Sequence, residues 1–169
     1  HTLTITGQLP AVNFTTATQS VAEGGSVTIT AQLSTISTQT VTLPFTLTGT
    51  AVGADYTASA SPLTIAAGGT SATITVNALT DGVDEPDETV IVTLDPPTNA
   101  VLGATAVHTV TILGQTPVVS FAVAAQTVNE GVVASIAVRL SSPSTQTVTV
   151  PFSVAMTLPA SVSAAWAHE

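Results

Sequence analysis

The sequence contains no cysteine and almost no positive charge. Among its 169 residues there is one basic residue, Arg139, against ten acidic residues, and the formal net charge at pH 7 is −9. Without cysteine no disulfide can crosslink the chain, and the redox state of its compartment cannot be read from the sequence. We expect no nucleic-acid partner, because phosphate binding requires clustered positive charge. Docking on anionic lipid is disfavoured for the same reason.

Long apolar runs and helix-forming residues are also scarce. No apolar run reaches about 18 residues, so we expect no transmembrane helix and no membrane insertion. Charged residues make up 7% of the chain, against roughly 25% in an ordinary soluble domain. Val and Thr are abundant instead, and β-branched side chains suit a pleated, half-buried surface. Because a polar surface of Thr and Ser is common in secreted β proteins, we expect an extracellular or cell-surface location.

The sequence repeats itself at an offset of 107 residues. HTLTITGQLP at 1–10 recurs as HTVTILGQTP at 108–117, and STQTVTLPF at 37–45 recurs as STQTVTVPF at 144–152. The repeat predicts four segments, which are the last strand of a preceding repeat (1–9), a complete repeat (10–116), the first strands of a following repeat (117–155) and a divergent C-terminal segment (156–169). Since the sequence starts at His1 without a start Met or a signal segment, we interpret it as a processed product or a piece of a longer protein.

Within the complete repeat, apolar residues alternate with polar ones, which predicts β-strands. In SVTITAQL (26–33) the side chains of Val27, Ile29, Ala31 and Leu33 share one face. Gly and Pro residues separate such stretches, so the pattern predicts an all-β, antiparallel β-sandwich of about seven strands. The predicted strands cover 11–22 (broken), 26–33, 40–47, about 55–58, 62–65 with 71–76, 89–94 and 107–113. Pro44 lies within the third strand, which places that strand at an edge or beside a bulge.

Half of the carboxylates lie in one short loop, TDGVDEPDE at 80–88. The loop contains Asp81, Asp84, Glu85, Asp87 and Glu88. Alternate connections of a sandwich fall at the same end, so Glu23 and Asp55 are expected at the same corner. Carboxylates about 4 Å apart repel each other by about 1 kcal/mol in water and by more near protein. Calcium, which takes about six to eight oxygen ligands from flexible loops, would remove this repulsion, whereas zinc and copper favour softer ligands that the corner lacks.

Several motifs resemble the Calx-beta domain, the calcium-binding module of sodium–calcium exchangers that also occurs in tandem in extracellular and bacterial surface proteins. These motifs are VNF (12–14), VAEG (21–24), GTAVGADY (49–56), IAAG (65–68), DGVDEPDE (81–88), LG (102–103) and VTI (110–112). The resemblance covers about 11–114 in full and 117–152 in its first part only. It implies that the sandwich is immunoglobulin-like.

The resemblance also implies a calcium site at the acidic corner. The positions that match the ligands of exchanger-type members are Glu23, Asp55, Asp81, Glu85 and the backbone carbonyl of Val83. Those members also carry a run of aspartates after the last strand, where this sequence has LGQTP (113–117) without an acid. We therefore expect one Ca²⁺ ion or none, bound more weakly than in a calcium sensor. The following repeat offers Glu130 alone.

Plainer interpretations of the same residues stay open. The acidic loop could serve as a solvated, solubilising loop, Glu23 could be a turn residue, and Asp55 could hydrogen-bond its own loop. His1 and His108 occupy equivalent repeat positions, which explains them without chemistry. The sequence contains no nucleophile motif, zinc-protease motif or phosphate-binding loop, so we predict that the protein is not an enzyme.

The sequence is consistent with three candidate functions. The first is a structural or adhesive repeat of a stalk, adhesin or filament, in which calcium stiffens the array and neighbouring repeats are the partners. The second is a self-polymerising filament subunit, in which identical protomers exchange strands because incomplete sandwiches expose sheet edges. The third is a calcium-sensing regulatory module, which the missing aspartates and the lack of a membrane segment argue against. A surface or carbohydrate ligand is not identified by any residue pattern.

Overall fold

The computed structural model describes His1 and residues 7–155, and residues 2–6 and 156–169 lie outside the described part. The described residues form strands and no helix. The strands are β1 (Ala11–Phe14), β2 (Thr18–Ala22), β3 (Ser26–Leu33), β4 (Val41–Leu43), β5 (Phe45–Gly49), β6 (Tyr56–Ala58), β7 (Leu63–Ile65), β8 (Ser71–Ala78), β9 (Glu88–Leu94), β10 (Val101–Leu102), β11 (Val107–Leu113), β12 (Val119–Phe121) and β13 (Val138–Leu140). The all-β prediction is therefore confirmed.

Two sheets form the sandwich. One has five strands in the order β10-β1-β3-β8-β6, and the other has four strands in the order β2-β11-β9-β5. Most neighbours are antiparallel, and the exceptions are the pairs β1–β10 and β2–β11. β4 and β7 form a separate, two-stranded antiparallel sheet. The buried apolar side chains all come from residues between Val12 and Ile112, so one core lies between the sheets and belongs to 10–116.

The predicted strands appear with three divisions and one addition. The strand predicted at 62–65 with 71–76 divides into β7, which pairs with β4, and β8, which pairs with β3 and β6. The broken strand 11–22 divides into β1 and β2, which lie in different sheets. Pro44, which has no N–H to donate to a ladder, divides the strand at 40–47 into β4 and β5. β5 lies at the edge of its sheet, as expected for a strand next to proline. The added strand β10 has two residues, and so short a stretch shows no alternation that a sequence pattern could reveal.

The core follows the period-two pattern of the sequence. Ile29 on β3 lies opposite Ile74 on β8, and both are buried, whereas the neighbouring pair Thr30 and Thr73 faces outward. The sequence explained one core residue, His108, only by its position in the repeat. His108 is fully buried, its Nδ1 atom lies 2.7 Å from the Thr16 carbonyl oxygen, and its ring packs edge-on against Phe14. His108 is therefore a packing residue of the sandwich.

Gly49 explains the start of the GTAVGADY motif. Its φ is +128°, a conformation that side-chain-bearing residues rarely adopt. A Cβ atom at this position would also overlap the backbone carbonyl of Thr89 on β9. β5 can therefore reach the β9 backbone only with glycine here, and this approach directs the next loop, which carries Asp55, toward the acidic corner.

The segment after the sandwich reproduces its first pairing. β12 pairs with β13 in the register of β1 with β3, shifted by 107 residues, so that Val119 faces Leu140 as Val12 faces Leu33. The inner positions are nevertheless exposed. Phe121 is 63% exposed, whereas its counterpart Phe14 is 3% exposed. The division of the chain into repeats stays a prediction.

Candidate metal centre

Four chain segments meet at one corner of the sandwich. They are the turn between β2 and β3, the loop before β6, the loop 80–88 between β8 and β9, and the residues that follow β11. Together they line a small pocket, with acidic side chains from Glu23, Asp55, Asp81, Glu85 and Glu88. The pocket has a volume of about 10 Å³, which is roughly what a single water-sized particle requires. The predicted convergence of Glu23, Asp55 and the acidic loop is therefore observed.

Three of these carboxylates form a tight cluster. One oxygen from each of Asp55, Glu85 and Glu88 lies within 4.8 Å of the others. Asp55 and Glu85 were predicted as ligands, but Glu88 was not. The alternation of β9 carries the missing signal, because Glu88 shares a strand face with Val90 and Val92, which are buried. Glu88 is the first inward-facing residue of β9, so its carboxylate lies at the end of the core, beside the acidic corner.

The backbone holds Asp55 in place. Its N–H donates to the Val52 carbonyl at 3.0 Å, and its carbonyl accepts from the Leu79 N–H at 2.7 Å. Its Oδ2 atom accepts from the Val52 N–H at 2.5 Å. The hydrogen bond within its own loop, which was the plainer interpretation of this residue, is therefore present, and it orients the carboxylate within the cluster.

The other predicted ligands lie near the cluster and have different partners. Asp81 is exposed, and its Oδ1 atom accepts from the Val83 N–H at 2.8 Å, which closes the turn of the acidic loop. Glu23 Oε2 accepts a long hydrogen bond, 3.4 Å, from Gln115 Nε2. Val83 is not among the residues that line the pocket in the described structure. Ligand roles for Glu23, Asp81 and Val83 stay predictions.

Mutual repulsion and burial shape the electrostatics of the corner. Burial, a hydrogen bond with Asp55 and the nearby carboxylates together raise the pKa of Glu88 to about 7. Burial and the charges of Asp81 and Glu85 raise the pKa of Glu23. The sole basic side chain of the sequence, Arg139, donates instead to the Ala122 carbonyl at 3.1 Å. No cationic side chain among the described residues offsets the corner, so the cluster favours a proton or a metal ion.

The donor chemistry fits a hard cation. The clustered side chains offer carboxylate oxygens alone, and calcium prefers oxygen ligands in flexible loops. Soft metals such as zinc and copper favour His and Cys, which are absent from the residues lining the pocket. Asp55, Glu85 and Glu88 are therefore the residues that would hold an ion, with Glu23 and Asp81 beside them.

The segment after β11 has a steric reason to lack an acid. The Gly114 N–H donates to Asp87 Oδ1 at 3.0 Å. A Cβ atom at position 114 would overlap the carbonyl oxygen of Glu85. Because the acidic loop lies directly on this glycine, an aspartate could stand there only if the loop moved away. The local backbone thus accounts for one of the missing acids.

Asp84 lies apart from the metal pocket and contacts the segment that follows the sandwich. It is 6% exposed. Its N–H donates to the Pro143 carbonyl at 2.8 Å, and its own carbonyl accepts from the Thr145 N–H at 3.0 Å. Its Oδ2 atom accepts from the Ser144 hydroxyl at 2.9 Å. The centre of the acidic loop is therefore bound to the turn at 143–145.

Calcium binding at the corner is expected to weaken as the pH falls below 7. A proton competes with the ion for Glu88, whose pKa is about 7, so affinity measured by calorimetry should be about tenfold lower at pH 6 than at pH 8. The stability of the calcium-free protein should depend on pH in the opposite direction. Between pH 4.5 and 7 folded Glu88 keeps its proton, whereas in the unfolded chain, at its ordinary pKa of 4.5, it loses the proton. Calcium-free stability should therefore fall as the pH rises from 4.5 to 7. An affinity independent of pH across this window, or one unchanged by Glu88→Gln, would remove Glu88 from the site.

Comparison with known proteins supports the fold. A family model described as the Calx-beta domain matches residues 8–116. The crystal structure of the apo form of the Calx CBD1 domain is 20% identical, with a TM-score of 0.57, and the match covers 63% of this chain and 97% of that one. The Calx CBD2 domain is 15% identical with a TM-score of 0.54, covering 63% and 90% respectively.

A third similar structure is described as the calcium binding domain CBD12 of CALX1.1. It is 21% identical with a TM-score of 0.55, and the match covers 60% of this chain and 43% of that one. Identities at this level show the fold alone. The search of curated proteins gave no match. Within the described residues, no helix is long and apolar enough to cross a membrane.

Proposed function

Because this chain belongs to the Calx-beta domain family, we propose that residues 10–116 form a calcium-binding structural repeat of a secreted or cell-surface protein. In this function the sandwich is one unit of a stalk, adhesin or filament. Bound calcium stiffens the connection to the next unit. Neighbouring repeats are the partners, and the module carries out no chemical reaction.

The observation that carries the proposal is the cluster of Asp55, Glu85 and Glu88, whose oxygens lie within 4.8 Å of one another. Carboxylates at this distance repel, and the sequence supplies no basic residue at the corner to neutralise them. A divalent cation would convert this repulsion into attraction. A similar structure is described as a calcium binding domain, which agrees with this assignment.

Each residue has a distinct part in the proposed site. Asp55, fixed by the Val52 and Leu79 backbones, supplies a rigid carboxylate. Glu85 supplies one from the acidic loop, and Glu88 supplies one from the start of β9. Calcium would neutralise the three carboxylates and tie the loop to the sandwich. Since calcium usually takes about six to eight oxygens, Glu23, Asp81 and water complete the set.

Stiffening follows from the position of the acidic loop. The loop contacts Gly114 at the start of the connection, and through Asp84 it contacts the turn at 143–145. An ion that immobilises residues 85 and 88 restricts Asp84, which lies between them and the turn. The restriction passes to the following segment through these hydrogen bonds.

The stiffening can be measured with spin labels, because the chain has no native cysteine to label. Cysteines replace exposed Thr73 on β8 and exposed Ser120 on β12. The distribution of distances between the two labels, measured by pulsed electron paramagnetic resonance, should narrow when calcium is added and broaden with chelator. Asp55→Asn should abolish the narrowing. Asp95→Asn, which removes one charge outside the cluster, is the matched control and should retain it.

An equal width with calcium and with chelator would contradict the stiffening role, even if calcium binds. Narrowing that persists in Asp55→Asn would place the active ion elsewhere. The first result would test the stiffening itself, and the second would test whether the ion that causes it binds at Asp55.

Strand exchange between protomers is the second candidate function. It is favoured by the exposed inner positions of β12 and β13, of which Phe121 and Val138 are 63% and 51% exposed. Their counterparts in the sandwich, Phe14 and Ala31, are buried. Strands from an identical protomer that cover these positions would complete a second sandwich. The substitution Ile136→Ala distinguishes strand exchange from a monomer in which these inner positions remain exposed to solvent.

A further inference from the structure

The turn that contacts Asp84, at 143–145, has a counterpart within the sandwich itself. STQTVTVPF at 144–152 repeats STQTVTLPF at 37–45, so the turn at 36–38 corresponds to the turn at 143–145. We propose that the turn at 36–38 binds the acidic loop of a repeat of the same kind that precedes it in an array. This inference rests on the proposed function as an array repeat, and it names the surface through which consecutive repeats meet.

The two turns have the same local structure. The Gln39 N–H donates to Ser37 Oγ at 3.1 Å, and the Gln146 N–H donates to Ser144 Oγ at 3.1 Å. Each turn is also joined to the first strand of its own segment by a backbone hydrogen bond, from Ser34 to Ala11 at 2.8 Å and from Ser141 to Val118 at 2.9 Å. A partner that recognises one turn therefore meets the same arrangement of groups at the other.

The contact at the second turn is a short piece of parallel pairing. Asp84 pairs with Ser144, so that its N–H donates to the Pro143 carbonyl and its carbonyl accepts from the Thr145 N–H. The Ser144 hydroxyl donates to Asp84 Oδ2 at 2.9 Å. The turn thus contributes one carbonyl, one N–H and one hydroxyl, and the acidic loop contributes one aspartate.

The turn at 36–38 has the same three groups. The Ile36 carbonyl and the Thr38 N–H form no hydrogen bond with another described residue, and both residues are exposed. Ser37 is 8% exposed, and its own carbonyl accepts from the Gly68 N–H at 2.8 Å, but the corresponding carbonyl of Ser144 takes no part in the contact with Asp84. The Ser37 hydroxyl donates to the Gln39 carbonyl at 2.7 Å, and a hydroxyl can rotate toward a carboxylate, which is the stronger acceptor.

The positions of the loop and the turn suit a head-to-tail contact. The acidic loop follows β8 and the turn at 36–38 follows β3, and these strands are antiparallel neighbours. The loop and the turn therefore lie at opposite ends of the sandwich. Gly7, which stands 107 residues before Gly114, is exposed, whereas Gly114 lies against the carbonyl of Glu85. A contact between two different surfaces can continue from unit to unit along an open array.

The test extends the full chain by one repeat. A chain in which residues 8–114 occur twice in succession joins Gly114 of the first copy to Gln8 of the second, which keeps the native Gly–Gln connection. Ser37 of the second copy then follows Asp84 of the first copy by 60 residues, as Ser144 follows Asp84 in the native chain. Nuclear magnetic resonance measures the hydrogen exchange of the two Thr38 amides. The measurement is made in chelator, so that it does not depend on calcium binding.

Thr38 of the second copy should exchange at least about tenfold more slowly than Thr38 of the first copy, because only the second can donate to Asp84 of a preceding repeat. Thr145, whose N–H donates to the Asp84 carbonyl at 3.0 Å, should exchange slowly and is the internal standard. Asp84→Ala in the first copy should speed the exchange of Thr38 in the second, since the hydrogen bond to Ser37 is lost. Asp95→Ala in the first copy is the matched control and should change nothing. Circular dichroism verifies that each variant is folded.

Equal exchange of Thr38 in the two copies would overturn the proposed contact. Slow exchange that Asp84→Ala does not alter would overturn it as well, and so would fast exchange of Thr145, because the contact at the second turn is then not formed in solution. Slowing of Thr38 in the native chain that grows with protein concentration would assign the turn to a second molecule instead of a preceding repeat. Failure of the chain to bind calcium, measured separately, would end the proposed metal site and leave this contact standing.

Discussion

Saturating calcium is expected to raise the melting temperature of the chain by roughly 10 °C or more. A ligand present at about 100 times its dissociation constant adds roughly 2.7 kcal/mol to the free energy of unfolding. For a sandwich of about 100 residues, each kcal/mol shifts the midpoint by roughly 4–8 °C. The ion stabilises the folded state because the unfolded chain does not hold Asp55, Glu85 and Glu88 together. The measurement is a calorimetric melt with calcium and again with chelator.

Three variants test the source of this shift. Asp55→Asn and Glu88→Gln should each remove most of it, since each deletes one of the clustered carboxylates. Asp95→Asn should leave it unchanged. In chelator, Glu88→Gln should melt no lower than the wild type at pH 8, because it relieves repulsion at the corner. A melt that calcium does not move at millimolar concentration would mean that the acidic loop serves solubility, and the proposed site would be abandoned.

Much of the fold could be predicted from the sequence because apolar residues alternate with polar ones along the strands of both sheets. Alternating apolar residues placed Ile29, Ala31 and Leu33 inward, and the structure buries all three. Pro44 marked the division of a strand because proline lacks the donor that a ladder requires. The order of the predicted strands placed the acidic loop, Glu23 and Asp55 at one end, since the connections of a sandwich alternate between its ends.

The parts that could not be predicted depend on side-chain direction and on contacts between distant segments. Glu88 was counted as a loop residue, although β9 begins with it and turns it toward the pocket. Asp84 resembled its neighbours in sequence, yet its burial depends on Pro143 and Ser144, about 60 residues later. A charged residue gives no sequence signal of such a contact. The fit of Gly114 against Glu85 is likewise visible only in three dimensions.

Truncation of Ile29 is expected to destabilise the sandwich, whereas the same truncation at Ile136 is not. Ile29 is 1% exposed and faces Ile74 across the β3–β8 pair, and Ile136 stands 107 residues later and is 68% exposed. Ile29→Ala should lower the free energy of unfolding by about 2–5 kcal/mol through lost burial and a cavity, a loss of roughly 8–40 °C in melting temperature. Ile136→Ala removes the same atoms from a solvated position, where substitutions usually change stability by about 0.5 kcal/mol or less. Paired calorimetric melts of the two variants measure this difference.

The same pair of variants decides between the candidate functions. If identical protomers donate strands to 117–155, Ile136 becomes a core residue of the assembled form, as Ile29 is in the sandwich. Ile136→Ala should then shift sedimentation toward the monomer and lower the melting temperature in a manner that depends on protein concentration. An unchanged sedimentation profile for Ile136→Ala, together with a large loss of stability for Ile29→Ala, would exclude strand exchange by this chain and leave the calcium-stiffened repeat.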